Sequence, residues 1–65
     1  MNPLKVKLIE EQEALEMKLD KLNDFNQSDE AYSINPVQKD LLIIQAGAMY
    51  TYNECLKARI SRLED

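Results

Sequence analysis

The 65-residue chain has no histidine, no tryptophan, a single cysteine and a single glycine. Because histidine is absent and Cys55 is the only thiol, we expect no zinc or haem site, and neither a metal nor a cofactor. A lone cysteine also excludes a disulfide within the chain. We predict that Cys55 lies on a buried helix face, and a single buried cysteine is typical of a reducing compartment. With Gly47 as the only glycine, the chain has no glycine-rich phosphate loop.

The same scarcity argues against catalysis. Serine occurs only at positions 28, 33 and 61, and there is no histidine to act as a base beside any of them. Carboxylates are abundant, but abundance on solvated faces does not create the close pair that acid–base chemistry needs. We therefore expect a protein that is not an enzyme and has no catalytic residue.

Long hydrophobic stretches and an excess of positive charge are also missing. The longest apolar run is Leu41–Ile44, which is far too short to cross a bilayer, and charges at Lys5, Lys7 and Glu10 interrupt any signal-peptide core. Twelve acidic and eight basic residues give a net charge of −4, which disfavours nucleic acid and anionic membranes as partners. We expect a cytoplasmic protein with no nucleic-acid or membrane partner.

Two amphipathic helices account for most of the chain. Apolar residues recur every seven positions in both, and Asn2-Pro3 and Asn35-Pro36 precede them as a cap and a first helical residue. The pattern predicts helices at about 3–23 and 36–63, joined by a polar loop at about 24–35. Because the connection is short, the helices should pack antiparallel. The predicted fold is a single all-α domain over residues 1–65, an antiparallel two-helix hairpin.

The second helix is apolar around nearly its whole circumference, more than one partner helix can cover. A chain of this size buries only about 60% of its unfolded surface, so a solitary core is marginal. We therefore expect the hairpin to assemble into a homo-oligomeric helical bundle. The predicted subunit interface comprises Leu42, Ile43, Ala46, Gly47, Met49, Leu56 and Ile60.

Aromatic and cationic side chains lie together on the second helix in two sets. Tyr52, Cys55, Arg59 and Arg62 follow one edge of the apolar stripe, whereas Tyr50, Asn53 and Lys57 lie on the other face. Each set offers rings for a base and cations for phosphate. We predict a ligand site at Tyr52, Arg59, Arg62, Tyr50, Asn53 and Lys57, with Lys18 and Lys21 as possible contributors from the first helix. The structural alternative makes Tyr52 a packing residue and pairs the arginines with Glu54, Glu64 or the helix dipole.

The segment from Gln38 to Met49, continued by Tyr52 and by Leu56–Ile60, resembles a family of short phage-encoded proteins first grouped around crAss-like phages. The residues Leu19–Phe25 are similar to the end of that family's first helix. The resemblance implies a helical hairpin. It also implies a remoter architectural similarity to phage anti-defence sponges, which sequester cyclic nucleotide signals of bacterial immunity.

Two functions therefore compete at this stage. One is an oligomeric phage-type sponge for a cyclic nucleotide or a cyclic ADP-ribose-type signal, acting in the host cell cytoplasm. The other is a protein–protein interaction module that docks and inhibits a host or phage protein, which suits the net negative charge.

Overall fold

The first helix, α1, spans Pro3–Asn26, and the second, α2, spans Pro36–Ser61. A 3-10 helix, Asp29–Tyr32, lies in the connection between them. These elements are seen in a computed structural model that describes residues 2–63. The predicted hairpin is confirmed, since the described part of the chain is all-helical and has no strand.

Both helices begin as the sequence predicts. The side-chain oxygen of Asn2 accepts a 2.9 Å hydrogen bond from the backbone N–H of Leu4, and Asn35 accepts one of 2.8 Å from Val37. Each bond satisfies an amide of the first turn, where the helix itself supplies no acceptor. The proline that follows each asparagine needs no partner for a missing N–H.

The predicted helix ends need correction. The first helix continues three residues beyond Asn23 and ends at Asn26. Residues 24–26 include no glycine or proline that would stop it earlier. The second helix ends at Ser61 rather than at residue 63, with Arg62 as its cap. The connection is therefore shorter than predicted. Ser28 Oγ donates to the carbonyl of Phe25, and Ser33 Oγ donates to that of Glu30.

The antiparallel arrangement is fixed by hydrogen bonds between the helices. Gln12 Nε2 donates to Asn53 Oδ1 at 3.1 Å, and Asn26 Nδ2 donates to the carbonyl of Leu42 at 3.3 Å. Residues nearer the end of α1 thus contact residues nearer the start of α2, as in an antiparallel pair. The result is a rod whose Cα atoms extend over 47 × 14 × 13 Å.

The core of this rod is small. Four apolar side chains are buried in the described part of the chain: Leu8, Leu19, Ala31 and Leu56. Many large apolar residues stay exposed, and most of these lie on α2. No helix among residues 2–63 is both long and apolar enough to span a membrane.

Candidate functional site

Three surfaces of α2 organise the candidate site. One surface faces α1, and helical spacing places the other two on either side of it. On one side lie Ile43, Gly47 and Tyr50. On the other runs a row that we call the outer stripe, formed by Val37, Leu41, Ile44, Ala48 and Tyr52. All five residues of the outer stripe are exposed.

The surface that faces α1 contains most of the residues predicted to form a subunit interface. Leu42, Ala46, Met49 and Ile60 are half-buried, while Ile43 and Gly47 are exposed. Leu56 is 0% exposed. Its assignment to the subunit interface needs correction, because the packing of the hairpin itself already encloses it.

A polar cluster interrupts this surface. Asn53 is only 3% exposed, and its Nδ2 donates to Glu16 Oε1 at 3.3 Å while its Oδ1 accepts from Gln12. Lys57 Nζ lies 3.1 Å from the same Glu16 oxygen and 3.7 Å from Glu54 Oε1. We call Gln12, Glu16, Asn53 and Lys57 the polar bridge.

The polar bridge sets the ionisation of its charged members. The hydrogen bond from Lys57 lowers the pKa of Glu16 most, and the bond from Asn53 lowers it further. The same bond to Glu16 raises the pKa of Lys57. Both partners are thus held in their charged forms, which strengthens the link between the helices.

The polar bridge corrects the second predicted ligand set. Asn53 is buried against α1 and bonded to two of its residues, so it does not present its carboxamide to a ligand from solution. Lys57 pairs with two carboxylates and keeps an exposed side chain, so its part in a ligand site stays a prediction. Tyr50 stays exposed and is not part of the polar bridge. One signal of this arrangement is visible in the sequence: Asn53 is a polar residue on the stripe that otherwise carries Met49 and Leu56.

The first predicted ligand set lies along the C-terminal continuation of the outer stripe. Tyr52, Cys55, Arg59 and Arg62 are all exposed, and we call them the arginine edge. The prediction that Cys55 lies on a buried face is wrong, since α1 covers the neighbouring side of α2. Within residues 2–63 neither guanidinium makes an ion pair, and Glu54 pairs with Lys57 instead. The suggested partner Glu64 lies outside the described residues.

A groove on the opposite side of α2 was not anticipated. Its volume is about 390 Å³. It runs between the C-terminal half of α1 and the middle of α2, and it is lined by Leu19, Asn23, Asn26, Gln27, Ile43, Ala46, Gly47 and Tyr50. Lys18 and Lys21, the predicted contributors from α1, are exposed and do not line it.

Gly47 lines this groove, and the packing of the described residues does not explain why a glycine is there. A Cβ added there would meet no described atom within 4 Å, apart from its own helical surroundings. Close packing against α1 therefore does not require a glycine at position 47. The sequence could have indicated the groove only through the carboxamides at positions 23, 26 and 27, near the end of α1.

The geometry defines a class of protein: a short helical hairpin with a small core and with exposed aromatic and cationic side chains along its second helix. The chain belongs to the Sequestin family, whose model matches residues 2–62. The name indicates a sequestering protein and specifies no sequestered molecule. Neither a curated protein nor a solved structure matches the chain.

Proposed function

We propose that the protein is a small, non-enzymatic, oligomeric binding protein that sequesters a nucleotide-derived immune signal. The observation that carries this proposal is the arginine edge, where two exposed arginines follow an exposed tyrosine and make no ion pair with any of residues 2–63. Guanidinium forks suit phosphate, and a tyrosine ring suits the face of a base. Membership of the Sequestin family supports the sequestering role.

The charge distribution supports this choice of site. The chain is acidic overall, with a net charge of −4, so an anionic ligand needs a local group of cations. Lys57 is committed to Glu16 and Glu54, whereas Arg59 and Arg62 lie one helical turn apart with their guanidinium groups exposed. The two arginines are therefore the cations of α2 that are best placed to meet a phosphate.

Assembly would bring several such edges together. The outer stripe exposes Val37, Leu41, Ile44 and Tyr52 directly N-terminal to the arginines, and the buried core of one hairpin is small. Burying this stripe against a second copy would stabilise the fold and place arginines from different subunits side by side. A cyclic nucleotide with more than one phosphate could then contact several guanidinium groups at once.

The biological setting in this proposal follows from the resemblance to short phage-encoded proteins. A phage protein of this kind would act in the cytoplasm of the infected host and would lower the free concentration of a cyclic nucleotide or cyclic ADP-ribose-type signal. It would need no cofactor, because sequestration requires binding only.

Native mass spectrometry tests the proposal directly. The full chain is incubated with cyclic dinucleotides, cyclic trinucleotides and cyclic ADP-ribose isomers, and each spectrum is compared with that of the protein alone. We expect an oligomer that gains a whole number of ligand masses with at least one of them. An oligomer that gains none of these ligands at concentrations well above the signalling range would contradict the proposal.

Variants then assign the binding to the arginine edge. Arg59→Ala should weaken binding at least tenfold without changing the oligomer mass, and Arg59→Lys should restore only part of it because lysine cannot form a bidentate fork. Lys39→Ala removes one positive charge at the other end of α2 and is the matched control. Bound ligand should also slow the alkylation of the exposed Cys55, which lies between Tyr52 and Arg59.

A second function is favoured by the outer stripe itself. Exposed apolar side chains on an acidic hairpin also suit a module that docks on and inhibits a host or phage protein. Such a module would bind none of the cyclic nucleotides or cyclic ADP-ribose isomers tested. It would form a stoichiometric complex with one defined protein. The Ile44→Glu variant should abolish that complex while leaving the hairpin folded.

A further inference from the structure

The groove beside Gly47 has the size and the chemistry of a small-molecule site. Its volume of about 390 Å³ falls within the usual range for ligand pockets, about 300–1,000 Å³. Leu19, Ile43 and Ala46 give it apolar walls, and Tyr50, which is 59% exposed, offers an accessible aromatic ring. A flat apolar molecule or a flat part of a larger one could enter between these groups.

The polar groups of the groove are all uncharged. Asn23, Asn26 and Gln27 present three carboxamides, and none of the described residues that line the groove carries a charge. A phosphate would find no cation there. Carboxamides match the hydrogen-bonding edges of nucleobases, because each offers a donor pair and an acceptor with the same planar spacing.

Asn26 adds an unsatisfied acceptor. Its Nδ2 donates to the carbonyl of Leu42, while its Oδ1 is buried and has no hydrogen-bond partner among the described residues. Buried acceptors without partners are costly and uncommon. A ligand amino group that reached Oδ1 would supply the missing hydrogen bond.

From these features we infer that the groove is a nucleobase subsite, in which the base stacks on Tyr50 and its edge bonds to the carboxamides of Asn23, Asn26 and Gln27. Gly47 keeps the wall free of a side chain that would fill the space. The inference rests on the proposed function for its class of ligand. It adds a second element for base recognition, on the other side of α2 from the arginine edge.

Nucleosides test the groove without involving the arginines, because they carry a base and no phosphate. The 15N-labelled full chain is titrated with adenosine, guanosine, cytidine and uridine at millimolar concentration, and ribose 5-phosphate is the control without a base. We expect at least one nucleoside to give saturable shifts at the Gly47 amide and at the carboxamide groups of Asn23, Asn26 or Gln27. Ribose 5-phosphate should leave these signals unchanged.

Matched variants separate recognition from folding. Tyr50→Leu should weaken nucleoside binding at least tenfold, whereas Tyr32→Leu removes another exposed tyrosine, which does not line the groove, and should change it less than twofold. Asn23→Ala should weaken binding several-fold, and Gln38→Ala removes an exposed carboxamide elsewhere as its control. Circular dichroism should show all four variants to be as helical as the parent chain.

Two results would overturn the subsite. One is the absence of saturable shifts at the groove with every nucleoside, and the other is binding that Tyr50→Leu and Asn23→Ala leave unchanged. Either can occur while cyclic nucleotides still bind through Arg59, in which case the proposed function stands and the groove has no part in it. Conversely, nucleoside binding without any uptake of cyclic nucleotides would support the subsite and contradict the sponge.

Discussion

Asn53 shows how one polar residue on an apolar stripe can join two helices. Its carboxamide is buried, and it is bonded on both sides to residues of α1. We predict that Asn53→Ala destabilises the hairpin by about 1–3 kcal/mol, since Gln12 and Glu16 lose partners at a part-buried position. Urea unfolding measures the change, and the exposed Asn23→Ala variant should stay within about 0.5 kcal/mol of the parent. A loss at Asn53 as small as that at Asn23 would contradict the structural role.

Glu16 makes the stability of the hairpin depend on pH in the acidic range. Because the pKa of Glu16 is lowered by Lys57 and then by Asn53, the folded state favours the carboxylate. Its contribution is complete above the pKa of an unfolded glutamate, about 4.3, and is lost as the pH falls through the lower folded pKa. The raised pKa of Lys57 keeps its own contribution intact until strongly alkaline pH.

The acid-side dependence can be measured with one conservative variant. Glu16→Gln should lower the melting temperature more at pH 7 than at acidic pH, so the difference between parent and variant shrinks on acidification. Glu13→Gln removes an exposed carboxylate from the same helix. It should leave the pH dependence of the melting temperature as it is in the parent chain. A difference between parent and Glu16→Gln that is constant across pH would show that the ion pair with Lys57 does not stabilise the fold.

At the scale of the helices, local sequence signals determined much of the structure. The two Asn-Pro pairs predicted the helix starts because capping and the missing proline N–H depend on neighbouring residues only. The end of α1 was less predictable, since no glycine or proline stops the helix before Gln27 closes it. The placement of Leu56, Cys55 and Asn53 depended on which face of α2 meets α1, and sequence spacing alone does not specify the rotation of one helix against another.

The formation of the groove also depends on how α2 is rotated against α1. Positions 23, 26 and 27 are far from positions 43–50 in the chain, and only the observed register of the hairpin brings them together. The grouping of Tyr52, Cys55 and Arg59 was predictable because they lie on one helix, where the spacing fixes their common side, and Arg62 caps that helix. Residues that share a face of one element could therefore be predicted from sequence, whereas a groove between two elements could not.

Gly47 weakens the helix that carries it, and no contact among the described residues offsets this cost. Glycine in a helix interior costs roughly 1 kcal/mol relative to alanine, and the added Cβ would meet no described atom within 4 Å. We predict that Gly47→Ala raises the stability of the hairpin by about 0.5–1 kcal/mol in thermal or urea unfolding. The reverse exchange at an exposed neighbour, Ala48→Gly, should lower it by a similar amount. Destabilisation by Gly47→Ala would reveal a close contact at this position, as expected if a second backbone packs there.

The hairpin leaves much apolar surface exposed, and the outer stripe carries four of the nine large apolar side chains that are exposed in the described part of the chain. Ile44 is 66% exposed at its centre, with Leu41 one turn before it and Ala48 one turn after it. These residues recur at the three- and four-residue spacing that lets one helix pack along another. If the outer stripe is the subunit interface, a charge at its centre must be buried without a partner or must keep the subunits apart.

We therefore predict that Ile44→Glu converts the oligomer into monomeric hairpins, as measured by sedimentation velocity or sizing with light scattering. Met17→Glu places the same charge at an exposed apolar position of α1 and should leave the mass unchanged. Ile43→Glu distinguishes the two sides of α2, because Ile43 lines the groove and was predicted to lie in the interface. If Ile43→Glu dissociates the oligomer and Ile44→Glu does not, the subunits meet across the groove, and the arginine edges then face away from the interface. A cyclic ligand could not bridge arginines of two subunits in that arrangement, so this one comparison decides how the assembly could hold its ligand.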